Sequence, residues 1–124
     1  MLFRNVFYFV ILFTIIFFSI GCSEDETVTG SGNGGGQNPN EIIMTGSSFS
    51  PANITINAGT TIKWVNKENI IHNVISGTPG SPSGVFSSGD LTLNAEFSFT
   101  FNQAGTFNYF CSYHPGMAGI VTVQ

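Results

Sequence analysis

Between Glu41 and Gln124 an alternation of apolar and polar residues with a period of two recurs. Ile54 and Ile56 flank Thr55, Ile62 and Trp64 flank Lys63, and Phe97, Phe99 and Phe101 are separated by Ser98 and Thr100. Phe107, Tyr109 and Cys111 share one face of the next run. Successive side chains of a strand point to opposite faces of a sheet, so this pattern buries one face and wets the other. No stretch of the region keeps a helical period. Turns are expected at Ala58-Gly59 and Ala104-Gly105, and Gly77 to Gly84, with Pro79 and Pro82, is too rich in breakers for a strand. Several short strands with aromatic faces predict an all-β fold, a β-sandwich whose two sheets enclose the rings.

The chain before Glu41 is of another kind. Residues Leu2 to Ile20 are almost wholly apolar, with Arg4 the only charge. A basic start, an apolar run and the small residues Ser19 and Gly21 before Cys22 predict a signal peptide over residues 1–21. A transmembrane anchor is the alternative, because the run is about long enough to span a bilayer. Ser19-Ile20-Gly21-Cys22 resembles a bacterial lipobox, with Ser19 where Leu is usual, and the resemblance implies lipid attachment at Cys22. Residues 22–40, rich in Gly, Ser, Thr and Asn and including Gly34-Gly35-Gly36, cannot bury enough surface to order themselves. They are expected to form a flexible tether, and about 18 residues of such coil reach roughly 20–25 Å. Residues 41–124 then form the single folded domain. Ser23-Glu24-Asp25-Glu26 resembles the acidic signal that sends some Bacteroidetes lipoproteins to the cell surface. A solvated linker is its plain alternative.

Charge excludes one class of partner. After residue 21 only Lys63 and Lys67 stand against all seven acids, a formal charge of −5. Such a chain has no electrostatic means of gripping nucleic acid, and it would steer towards a partner with a basic face. The two cysteines are Cys22 and Cys111. If Cys22 carries lipid, Cys111 is a lone thiol in an oxidising compartment, where cysteines are usually paired or absent. A lone one needs an explanation, and metal ligation is the leading candidate.

Tyr109-Phe110-Cys111-Ser112-Tyr113-His114-Pro115-Gly116-Met117 offers a thiolate, an imidazole and a thioether at three-residue spacing, between two strand-like runs. One loop cannot surround a metal, and the chain has a single further histidine, His72, in the strand-like run Ile70 to Ile75. Taken singly, His72 is a core histidine, and Cys111 and Met117 are core filler. Together they supply one thiolate, two imidazoles and a distal thioether, the trigonal set with a weak axial ligand that suits blue copper. Zinc takes a full tetrahedral set and has no use for a thioether. Haem attachment would need Cys-x-x-Cys-His, and calcium or magnesium would need clustered carboxylates.

Residues 41–124 resemble the cupredoxins, and within them the plastocyanin and amicyanin group. The resemblance is carried by Ser50-Pro51-Ala52-Asn53-Ile54-Thr55-Ile56, then Gly59, Trp64, Asn66 and His72-Asn73-Val74. It continues through Phe86-Ser87-Ser88-Gly89-Asp90-Leu91, Gly105 to Cys111 and the run to Val123. The two-residue gap between His114 and Met117 matches the short amicyanin-like loop. The resemblance implies a cupredoxin-like Greek-key β-sandwich holding one copper ion. It assigns His72, Cys111 and His114 as equatorial ligands and Met117 as the long axial ligand. It further implies that Asn73 ties the His72 strand to the ligand loop. His114 would be an exposed electron port, in a flat surface built by Pro115 and Gly116 with Pro79 or Pro82 nearby.

The function expected is single-electron transfer between extracytoplasmic redox partners, such as a cytochrome or a copper enzyme. The protein would be a monomeric carrier, held to a membrane through a lipid anchor, as a periplasmic or outer-membrane lipoprotein. Copper delivery or storage is the alternative, disfavoured because only Met44 and Met117 lie outside the signal. An enzyme with a second copper centre would need more than the two histidines present.

Overall fold

In a computed structural model, residues 38–124 are described, and among them there are nine strands and no helix. The predicted signal segment, Cys22 and nearly all of the tether lie outside the described residues. One sheet contains β1 (Glu41–Thr45), β2 (Ser48–Ser50), β4 (Thr60–Asn66) and β7 (Glu96–Phe101), in the order β2-β1-β4-β7. The other contains β3 (Asn53–Ile56), β5 (Ile75–Thr78), β6 (Ser81–Ser87), β8 (Gly105–Phe110) and β9 (Ala118–Val123), in the order β3-β9-β8-β5-β6. Pairs β1–β4 and β3–β9 are parallel and the remaining neighbours antiparallel. The result is an all-β, Greek-key sandwich.

The period-two pattern becomes the core. Ile62 and Trp64 of β4 are fully buried, and the ring of Trp64 meets those of Phe86, Phe97, Phe101 and Tyr109 at centroid distances of 5.7, 5.7, 6.4 and 5.5 Å. Trp64 belongs to one sheet and Phe86 and Tyr109 to the other, so these contacts join the layers. Truncating a ring so placed costs about 3–5 kcal/mol.

Two expectations are corrected. Gly77 to Gly84 was expected to lack strand structure, yet it lies largely within β5 and β6. β6 is the edge of its sheet, where a proline need not donate to a ladder. The register also shifts between Ile75 and Gly77, and a Cβ at Gly77 (φ 110°) would strike the Ser81 carbonyl and the Ser83 nitrogen. Glycine here lets the bulged backbone pass close to its partner. The run Ile70 to Ile75 was expected to be a strand, but the strand begins only at Ile75. His72 instead makes a single bridge to Leu91 in the connection from β4 to β5. Ile70 and Ile71 carry apolar side chains but do not alternate, and both are exposed.

Pairing places several strand ends together. Val65 pairs with Glu96, and Ile75 with both Ser87 and Phe110, which in turn pairs with Ala118. The connections β4–β5, β6–β7 and β8–β9 therefore share one end of the sandwich. That end holds the candidate site.

Gly119 supplies a check on the packing. Tyr109 is buried and donates its hydroxyl to the Ala52 carbonyl at 2.7 Å. A Cβ on Gly119 would collide with that carbonyl and with the Tyr109 ring and hydroxyl. Gly119→Ala is expected to cost about 2–3 kcal/mol, seen as a lower urea midpoint than that of the parent protein.

Candidate metal centre

His72 is set by its backbone. Its N–H donates to Leu91 O at 3.1 Å, and its carbonyl accepts from Leu91 N–H at 2.8 Å. The turn before it is gathered by Asn66, a fully buried side chain. Asn66 Nδ2 donates to the Ile70 carbonyl at 2.7 Å and the Leu91 carbonyl at 2.9 Å, while its Oδ1 accepts from Glu68 N–H at 2.8 Å. One amide thus joins the His72 connection to the Leu91 connection.

Cys111, His114 and Met117 lie on the loop between β8 and β9. The loop is closed by Cys111 N–H donating to Met117 O at 2.9 Å and Met117 N–H donating to His114 O at 3.1 Å. Asn73 holds it from the side. Its Nδ2 donates to Ser112 Oγ at 2.7 Å, and its Oδ1 accepts from Ser112 N–H at 2.8 Å. Tyr113 donates its hydroxyl to Asp90 Oδ1 at 2.6 Å. That bond, then burial, then the charges of Asp90 and Cys111 raise the phenol's pKa above its ordinary value, so it stays a donor.

The structure brings His72, Cys111 and His114 together, with one donor atom from each lying within 4.8 Å of the others. Cys111 Sγ stands 3.9 Å from His72 Nδ1 and 3.5 Å from His114 Nδ1. Donor atoms about 2.0–2.3 Å from one first-row ion, spread in a near-trigonal set, stand roughly 3.5–3.8 Å apart. The triangle therefore fits a metal. Met117 is buried in the same apolar cluster as Cys111, three residues along the loop from His114. A thiol and thioether with two imidazoles is a soft set suited to copper.

His72 is fully buried, Cys111 and Met117 nearly so, and His114 is only partly covered. Burial lowers the pKa of His72, the nearby His114 lowers it further, and the Glu68 carboxylate opposes both. A neutral imidazole keeps the lone pair that a metal needs.

The opposite edge of the His72 ring is unsatisfied. Nε2 makes no hydrogen bond and faces Glu68 Oε2 at 3.8 Å. A buried donor without a partner is costly, and a ligand imidazole commonly passes its other N–H to a carboxylate. Glu68 stands where that proton would go. Sequence reasoning missed Glu68, whose one signal was an acid four residues before a candidate ligand. It noted Asn66 only within a family pattern, and it missed Asp90 and Tyr113 as partners because they are far apart in the chain.

The flat surface is also differently built. Pro79 lies in the turn closed by the Thr78–Ser81 pair, at the other end of β5 from the ligand loop, and Pro82 pairs with Gly77. Tyr113, Pro115 and Gly116 beside His114 in the loop are exposed, as are Ile70 and Ile71, which directly precede His72 in the chain.

The copper-binding proteins of the plastocyanin/azurin family match residues 40–124. A plastocyanin of Scenedesmus fuscus is 40% identical over 84 residues, covering 61% of this chain and 86% of that protein. An amicyanin of Paracoccus versutus is 39% identical over 71 residues, covering 57% of this chain and 54% of that protein. Among solved structures, a purple cupredoxin from Nitrosopumilus maritimus superposes with a TM-score of 0.61 at 34% identity, covering 68% of this chain and 98% of that one.

Removing the Asn66 amide takes from the Ile70 carbonyl its donor, from Glu68 N–H its acceptor and from the buried Leu91 carbonyl the second of its two donors. Asn66→Ala is expected to destabilise the metal-free protein by about 2–4 kcal/mol, measured by urea denaturation. A cost under about 0.5 kcal/mol would contradict the role given to this side chain.

Proposed function

The chain belongs to the plastocyanin/azurin family of copper-binding proteins, and on that premise we propose that it is a type 1 copper protein passing single electrons between extracytoplasmic redox partners. The observation that carries this reading is the triangle of Cys111 Sγ, His72 Nδ1 and His114 Nδ1, within 4.8 Å, at the closed end of an apolar sandwich. In this reading the three residues hold the ion and Met117 supplies a weaker fourth contact. Copper, when bound, provides the one-electron couple between its two common oxidation states.

The residues around the triangle support a carrier and not an enzyme. A substrate needs an open ligand position, and this donor set leaves none. Hydrogen bonds from Asn66, Leu91 and Asn73 hold both ligand segments still, so little rearrangement accompanies a change of charge. Cys111 and His72 are shielded from water, which keeps the thiolate from unwanted oxidation. His114 alone reaches the surface, and electrons would enter and leave along its ring. The exposed Tyr113 and Pro115 flank His114 in the chain, and a partner such as a cytochrome or a copper enzyme would dock there. A chain of net charge −5 beyond residue 21 favours a basic face on that partner. We read the protein as a monomer with no nucleic-acid role. We place it outside the cytoplasm as a periplasmic or outer-membrane lipoprotein anchored through Cys22 and a tether over residues 22–40.

The absorption spectrum tests the reading. The Cu(II)-loaded protein is expected to show an intense visible band from thiolate-to-copper charge transfer, and Cys111→Ser to abolish it. A band that survived Cys111→Ser, or none in the parent protein, would sink the proposal. Copper passing to an acceptor while the redox couple stayed inert would favour delivery or storage instead.

A further inference from the structure

We propose that Asp90 and Tyr113 form a strap holding the ligand loop against the His72 connection, which makes Tyr113 a positioning residue for His114. The inference rests on the reading that His114 is a metal ligand.

Asp90 is a fixed post. Two residues before it, Ser88 is tied to Val74. Ser88 N–H donates to Val74 O at 2.9 Å, and Val74 N–H donates to Ser88 Oγ at 2.8 Å. One residue after it, Leu91 exchanges two backbone hydrogen bonds with His72. The carboxylate is therefore carried by a segment stitched on both sides of Asp90 to His72–Val74. Among the described residues it makes no ion pair.

Tyr113 belongs to the less constrained side. Ser112, Tyr113, Pro115 and Gly116 are exposed, and Gly116 takes a positive φ of 86°. Asn73 fixes only Ser112. Between that tie and the turn at Met117, the Tyr113 hydroxyl makes the side-chain hydrogen bond back to the fixed segment, beside the contact of the His114 ring with that of His72 at 4.6 Å. Its 2.6 Å bond to a carboxylate is of the short, charge-assisted kind. His114 is the next residue. Holding Tyr113 limits the backbone torsions that would swing the imidazole outward. The His72 and His114 segments are thus bridged twice, through Asn73–Ser112 and through Asp90–Tyr113.

Amide hydrogen exchange on the metal-free full chain reads the strap without any metal. Tyr113→Phe and Asp90→Ala should each raise exchange of the hydrogen-bonded Ser112 and Met117 amides by about three- to tenfold. Both remove the same bond, so the double variant should exceed neither single one. Asp90→Asn, which keeps an acceptor, should have the smaller effect, and because the unfolded chain lacks this bond the urea midpoint should fall modestly and in the same order. In the copper-loaded chain, Tyr113→Phe should shift the energy of the charge-transfer band without abolishing it. Parent-like exchange in both single variants, additive effects in the double, or a band that does not move would overturn the proposal. No band in the parent protein would instead overturn the metal reading and with it the role of His114, while the exchange rates would still decide whether the strap exists.

Discussion

The two hydrogen bonds that His72 exchanges with Leu91 organise the whole metal end. They make a one-residue bridge between two connections that each cross from one sheet to the other. Buried backbone groups need partners, and at this end the ladders have already stopped. The bridge and the Asn66 amide take over their task. The backbone of His72 is held by this bridge and its ring is fully buried.

Below this end the aromatic core does a different job. Trp64, Phe86, Phe101 and Tyr109 join the sheets through ring contacts, and Tyr109 sits two residues before Cys111 on β8. A strand fixed by a buried ring and by the hydroxyl's bond to Ala52 has no freedom to slide, because a shift of one residue would turn its inner face outward. The position of the thiol is thus inherited from core packing, while the position of each imidazole is inherited from hydrogen bonds. Burial then grades the site, with His72 and Cys111 inside and His114 at the rim.

Much of this was legible in the residues. The alternation at Ile62–Trp64 and Phe97–Phe101 marked buried faces, and the structure has strands at both. Cys111 and His114 were expected close together because a three-residue spacing within one loop leaves little choice. The breaker-rich segment from Gly77 misled, because local composition does not say whether a strand is at an edge, and only an edge tolerates Pro82 there. The run at His72 misled for a related reason. Its apolar residues resemble a strand, but no neighbouring strand is there to pair with, and Asn66 folds the chain into a turn instead.

The sequence by itself determined the fold class and set Cys111, His114 and Met117 within one short loop. These follow from side-chain periodicity and from the identity of a few residues, both local properties. Tertiary structure alone decided that His72, 39 residues from Cys111, brings Nδ1 to 3.9 Å from the thiol. It also decided that Glu68 faces the other edge of that ring, and that Asp90 meets Tyr113. Such pairs depend on which connections share an end of the sandwich, and that is settled by strand order and register across the whole domain. No local pattern encodes it.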